Sequence, residues 1–129
     1  MSLRSLGILA ATLATALSAS ADSIEKRSLE VTATAYNSVP SQTDGDPNIT
    51  AWGDRLEPGM NVIAVSRDLI ELGLSHGAEV TIDGLPGLWV VRDKMAKHWK
   101  RKIDIYMGDD VSAARKWGRR RVTIRWSDD

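Results

Sequence analysis

Six short runs of strand-forming residues recur along the chain, and each is closed within a few residues by Gly, Pro, Asn or Asp. They are "LEVTATAY", "NVIAVS", "AEVTI", "LWVVRD", "KIDIY" and "RRVTIRW". The first alternates Leu29, Val31, Ala33 and Ala35 against Glu30, Thr32 and Thr34, which is the period-two signature of a strand. "AEVTI" and "LWVVRD" are separated by the turn residues "DGLPG" and read as a hairpin. Two helical segments interrupt the strands. "RDLIELG" ends at Gly73, and "DDVSAARKWG" takes Asp109 or Asp110 as its N-cap, sets Val111, Ala114 and Trp117 at helical spacing and stops at Gly118. Six short strands and two short helices predict a mainly β fold, a small barrel with helices plugging its ends.

Within that pattern "KIDIY" places a carboxylate in the middle of a strand. Alternation puts Asp104 on the face opposite Ile103 and Ile105, so the residue belongs either to a solvated strand face or to a site. A second aspartate, Asp93, closes "LWVVRD". Residues 37–60 form a long Asn, Asp, Gly and Pro-rich loop, and loops of that length in a compact domain are often the wall of a binding site. Trp52 lies in this loop and is better placed to stack on a sugar ring than Trp89 or Trp117, whose neighbours make them core residues.

Length and charge narrow the function classes. The first 21 residues carry one basic residue, Arg4, an apolar stretch from Leu6 to Leu17, and the small-residue signal Ala19-Ser20-Ala21, and so read as a secretory signal peptide. The apolar stretch falls short of the ~20 residues needed to span a bilayer. The expected location is periplasmic or secreted, without stable membrane insertion after cleavage. Residues 22–28 are polar and read as a flexible lead-in, and one domain is expected over 29–127. Removal of Arg4 with the signal leaves 16 Lys and Arg against 17 Asp and Glu, a net charge of −1, which argues against nucleic acid as a partner. Cys is absent, so the domain must be held together by its core and sheet alone. A monomer is expected.

The segments "VTATAYNS", "ITAWGDRLEPG", "IAVSRDLIELG", "VVRD", "KIDIYMG" and "ARKWGRRRVTI" occur in an order and spacing that resembles the three-aspartate ("3D") domain, which is shared with the membrane-bound lytic transglycosylase A family. The resemblance covers about residues 29 to 126. It implies a six-stranded double-psi β-barrel with two short helices, and cleavage of the β-1,4 bond between N-acetylmuramic acid and N-acetylglucosamine in peptidoglycan to leave a 1,6-anhydro end. The family's aspartate at a glycine-rich turn, followed eleven positions later by a hydrophobic-Asp-hydrophobic-aromatic strand, maps onto Asp93 and Asp104. Asp104 is thereby expected to be the catalytic acid and base, with Asp93 beside it in the catalytic cleft. Here the turn reads "DKMAKHW" instead of a glycine-rich sequence, and the family's third aspartate falls on Gly108, one residue before Asp109. Thr50 and Gly53 match the loop motif "TAxG". Together with Trp52, Tyr36, Lys102 and Asp109 they are the candidate substrate-binding positions.

Such an enzyme can work with one carboxyl group, which protonates the glycosidic oxygen and then accepts a proton from the sugar's own 6-hydroxyl. This requires a raised pKa. Burial and the neighbouring Asp93 would raise it, whereas Lys102 and Arg92 would oppose the rise. No cofactor or metal is expected, because His76 and His98 are too few and too far apart for a metal site. Ser66, beside Arg67 and Asp68, has no histidine placed to form a triad. The basic run Lys94, Lys97, His98, Lys100, Arg101 and Lys102 reads either as a solvated face or as a contact for an anionic polymer. The alternatives to a transglycosylase are a non-catalytic glycan-binding barrel and an endoglucanase or expansin-like barrel.

Overall fold

The computed structural model describes residues 26–38 and 48–127; the expected signal peptide, residues 22–25 of the lead-in and residues 39–47 of the long loop lie outside them. The strands are β1 (Lys26–Tyr36), β2 (Val62–Val65), β3 (Glu79–Ile82), β4 (Leu85–Lys94), β5 (Lys102–Tyr106) and β6 (Arg120–Ser127). The helices are α1 (Arg67–Glu71), between β2 and β3, and α2 (Val111–Trp117), between β5 and β6. The strands close into a barrel in the order β1-β5-β2-β4-β3-β6. Two neighbouring pairs, β1 with β5 and β2 with β4, are parallel, and the other four are antiparallel. Closure leaves no unpaired sheet edge, which suits strands of only four or five residues that could not hold a sheet singly.

The inward face of every strand is apolar, as alternation requires. Val31 and Ala33, Ile63 and Val65, Val80 and Ile82, Trp89 and Val91, Ile103 and Ile105, and Val122, Ile124 and Trp126 form one buried cluster. Each fully buried Val or Ile adds about 1.5–3 kcal/mol to folding, so this core stabilises the domain without disulfides. Leu69 of α1 and Trp117 of α2 join the cluster, and the Trp117 indole N–H donates to the Ala33 carbonyl at 3.2 Å. The expected core positions of Trp89 and Trp117 are thus observed. Asp110, not Asp109, caps α2: its Oδ1 accepts from the Ala113 amide at 3.0 Å.

Two boundaries differ from expectation. β1 begins at Lys26 and not at Leu29, because its pairing with β6 continues to Lys26 opposite Ser127 and draws the last three residues of the expected lead-in into the sheet. The β3–β4 turn is only Asp83-Gly84, with Ile82 facing Leu85; the remaining "LPG" is already strand. Gly84 has φ +92°, a conformation that glycine adopts without steric cost and that a two-residue hairpin turn demands. Among the described residues no helix is long and apolar enough to cross a membrane.

Candidate active site

The site is built on the outer face of the barrel, across four strands. On β5, Ile103 and Ile105 are fully buried in the core, and Asp104 between them points the other way, half-buried. That outer face is not solvated. Lys102 is only 7 % exposed and Tyr106 2 %, so Asp104 lies between two covered neighbours. The Trp99 ring covers Lys102, whose ammonium stands 3.6 Å from the ring centroid. Tyr106 packs with Leu56, Val62 and Tyr36 in a second small apolar cluster.

Asp104 faces Thr34 on β1 and Ala64 on β2. The Thr34 hydroxyl donates to its Oδ1 at 3.0 Å. Ala64 is also the partner of Asp93 on β4. Strict alternation would have turned Asp93 inward with Trp89 and Val91. Between Ile63 and Ala64, however, the β2–β4 register shifts by one: Ile63 faces Val91 while Ala64 faces Asp93. Arg92 is the extra residue of this bulge, and a bulge re-aims the side chains that follow it. Thr34, Asp104, Ala64 and Asp93 therefore form one row on neighbouring strands, with the two carboxylates flanking the methyl group of Ala64.

The two carboxylates have different surroundings. Burial pushes Asp104 above the usual carboxylate range, and the charge of Asp93 pushes it further; the Thr34 hydrogen bond and Lys102 pull the other way. Burial also raises Asp93, with Asp54 adding to the rise, but its Oδ1 accepts two backbone amides, Ala51 at 2.8 Å and Lys94 at 2.9 Å, which favour the charged form. Tyr36 stands within the field of both carboxylates. Its hydroxyl is buried without a hydrogen-bond partner among the described residues, and burial, then Asp93, Asp104 and Tyr106, push its pKa far up, so it stays protonated. Burial lowers Lys102, helped by Arg119 and opposed by Asp104.

The long loop reaches this row through a tight turn at Thr50–Asp54. The Thr50 amide donates to the Asp54 carbonyl at 2.8 Å, the Gly53 amide to the Thr50 carbonyl at 2.9 Å, and the Asp54 amide to the Thr50 hydroxyl at 3.0 Å. Thr50 is thus buried and committed to the turn, while Gly53 is exposed. Asp54 anchors the far side by pairing with His76 Nε2 at 2.7 Å and lies 3.6 Å from the Arg92 guanidinium. Trp52 is not a free platform. It is half-buried against the barrel core, edge-on to the His76 ring at 5.1 Å, with the Lys94 ammonium 5.7 Å from its ring centroid.

Of the residues singled out in the sequence, Asp93, Asp104 and Tyr36 share one site, Lys102 lies two positions along β5 from Asp104, and Thr50, Trp52 and Gly53 form the turn docked on Asp93. Asp109 is exposed, next to the α2 cap. The position of the family's third aspartate, Gly108, is buried with φ +55°, and a Cβ there would meet Pro58 Cα at 3.0 Å. Ser66 is buried, and its hydroxyl accepts from the Lys102 amide at 2.9 Å. The basic run is divided: Lys97, His98, Lys100 and Arg101 are exposed, whereas Lys94 and Lys102 lie over tryptophan rings. Thr34, Ala64 and Asp54, which lie in the quoted segments but were not singled out as site residues, complete the site together with His76. Only the alternation of Thr32 and Thr34 hinted at a polar face on β1. Among the described residues no group of three or more His, Cys, Asp or Glu side chains is placed to hold a metal ion. A surface concavity of about 260 Å3 adjoins the row, lined by Asp54, Arg55, Leu56, Met60 and Arg92, and one of about 570 Å3 includes His76 on the far side of the turn. No protein-family model and no curated protein matches this chain.

Proposed function

We propose that the protein is a peptidoglycan lytic transglycosylase in which Asp104 is both acid and base. The observation that carries this reading is a half-buried carboxyl group on a rigid strand, with its pKa raised by burial and by a second carboxylate across Ala64. A protonated Asp104 gives its proton to the glycosidic oxygen as the C1–O bond breaks and positive charge develops at the sugar ring. The sugar's 6-hydroxyl then bonds to C1, and its proton passes to the Asp104 carboxylate, which restores the acid. No water is consumed. Thr34, through its hydroxyl, holds the carboxylate in one orientation and stabilises it in the charged half of the cycle.

The barrel fits this reading as a double-psi arrangement: its two parallel pairs, β1 with β5 and β2 with β4, set Asp104 and Asp93 on strands adjoining β2. The glycan strand would lie along the outer face between the Thr50–Asp54 turn and β1, in an extracytoplasmic setting that supplies peptidoglycan. One observation favours a second reading, a barrel that binds glycan without cutting it: the turn after Asp93 reads "DKMAKHW" where the resembled family has a glycine-rich sequence. Mass spectrometry of purified peptidoglycan digested with the protein separates the two. Anhydro-muropeptides that vanish with Asp104→Asn support the enzyme, reducing ends point to a hydrolase, and bound but intact glycan supports the module. Turnover by Asp104→Asn should fall by roughly 10²–10⁴-fold with glycan affinity kept.

A further inference from the structure

We infer that Asp93 is a positioning residue for the glycan-binding turn and not a second acid or base. The inference rests on the proposed glycan site and assigns the two carboxylates different work. Asp93 Oδ1 already accepts two backbone amides, Lys94 next in its own strand and Ala51 in the turn 42 residues earlier. The Ala51 bond ties the Thr50–Asp54 turn to the barrel beside the row. A second tie, from Asp54 to His76, holds the turn from its other side, and the Trp52 ring fills the space between turn and core. Without Asp93 the Ala51 amide loses its acceptor, and the turn is held by the Asp54 contacts to His76 and Arg92 and by Trp52 on the opposite side.

Asp104 has the opposite arrangement. Among the described residues its hydrogen-bond donor is a hydroxyl, that of Thr34, which can reorient as the carboxyl group gains or loses a proton. Backbone amides cannot reorient in this way, so they bind a carboxylate or an amide oxygen equally in kind and disfavour protonation of that oxygen. Asp93 is thus suited to remain an acceptor through the reaction. Its charge still acts on Asp104 across Ala64, so its influence on the chemistry is electrostatic.

An Asn/Ala pair of substitutions at position 93 tests this, because the side-chain oxygen of asparagine keeps the acceptor without the charge. Muropeptide release and glycan titration would be measured for the full chain carrying Asp93→Asn or Asp93→Ala, with Ala51 amide exchange followed in the free protein. Asp93→Asn should leave Ala51 protected, while activity at neutral pH falls because Asp104 loses a charge that raises its pKa. Its pH profile should keep the Asp104 limb but move it to lower pH, since a neighbouring negative charge has gone. Asp93→Ala should expose Ala51 to exchange and raise KM or the glycan Kd by about tenfold or more, the order expected for loss of a charge-assisted hydrogen bond. Loss of kcat in both variants at every pH, with glycan affinity intact, would give Asp93 a proton-transfer role and overturn the inference. If the wild type binds glycan without cutting it, the enzyme reading fails alone, and the Asn/Ala split in Kd still decides the role of Asp93. If it neither binds nor cuts, both fall.

Discussion

Thr34 and Asp104 are direct cross-strand partners on the parallel pair β1–β5, and the Thr34 hydroxyl donates to the carboxylate at 3.0 Å. The bond lowers a pKa that burial and Asp93 raise, so Thr34 sets part of the balance on which the proposed acid depends. Thr34→Val removes the donor and nearly keeps the shape. The Asp104 pKa should rise further, and the alkaline limb of kcat/KM, where the acid loses its proton, should move to higher pH. A profile superimposable on that of the wild type would show that Asp104 is not the group titrating.

Asp104 should also reveal itself in stability. A carboxyl group whose folded pKa lies above its unfolded value binds its proton more tightly in the native state. Its contribution is full below the unfolded value, near 3.9, and is lost as pH rises through the folded pKa. At pH 7 the native state therefore carries the cost of a buried charge. Asp104→Asn should unfold at a higher denaturant concentration than the wild type at pH 7, and the difference should shrink on acidification. Urea titrations at two pH values would measure both, and an Asn variant less stable at pH 7 would contradict the burial argument.

Tyr36→Phe deletes a buried hydroxyl that has no hydrogen-bond partner among the described residues. Leaving such a group unsatisfied costs about 1–3 kcal/mol, so Phe at this position should match or exceed the wild-type melting temperature. The ring contact with Tyr106, at 5.5 Å between centroids, is retained in the variant. A fall of several degrees would show that the hydroxyl has a partner in solution.

Trp52→Ala separates a free stacking platform from a packed wall. A ring projecting into solvent would leave stability untouched when removed. Because Trp52 is packed against the core, His76 and Lys94, its truncation should destabilise the domain by about 1–3 kcal/mol, a loss visible as a lower melting temperature alongside any loss of glycan affinity. An unchanged melting temperature would return Trp52 to the role of an exposed platform.

Gly108→Asp would restore the family's third aspartate, and the fold opposes it. The backbone there is left-handed, at φ +55°, and the new Cβ would press on the Pro58 backbone at 3.0 Å. The conformational cost alone is about 1–2 kcal/mol, so the variant should melt roughly 5–10 °C lower and gain no activity. A gain in muropeptide release at unchanged stability would mean that the Pro58 segment yields readily.

By itself the sequence determined whatever depends on near neighbours in the chain. Period-two alternation placed Ile103 and Ile105 inward and Asp104 outward, the company of Trp89 and Trp117 marked them as core, and the short strand runs with their turn residues announced a closed β architecture. These follow from backbone geometry that repeats every two residues or every turn. The tertiary structure decided what depends on which strands meet and in what register. Alternation would have buried Asp93; a one-residue bulge at Arg92, defined only against β2, turned it towards Asp104. Thr34 could be matched to Asp104 only by the pairing of residues 70 apart, and Ala51 to Asp93 only by a turn folding back over 42. "KIDIY" left the outer face of β5 as either a solvated face or a site, and it is covered because Tyr36 arrives from β1 while Trp99 folds back over Lys102 from three residues earlier. A carboxylate's pKa depends on that cover and on those partners, so the chemistry proposed for Asp104 was located by the sequence and conditioned by the fold.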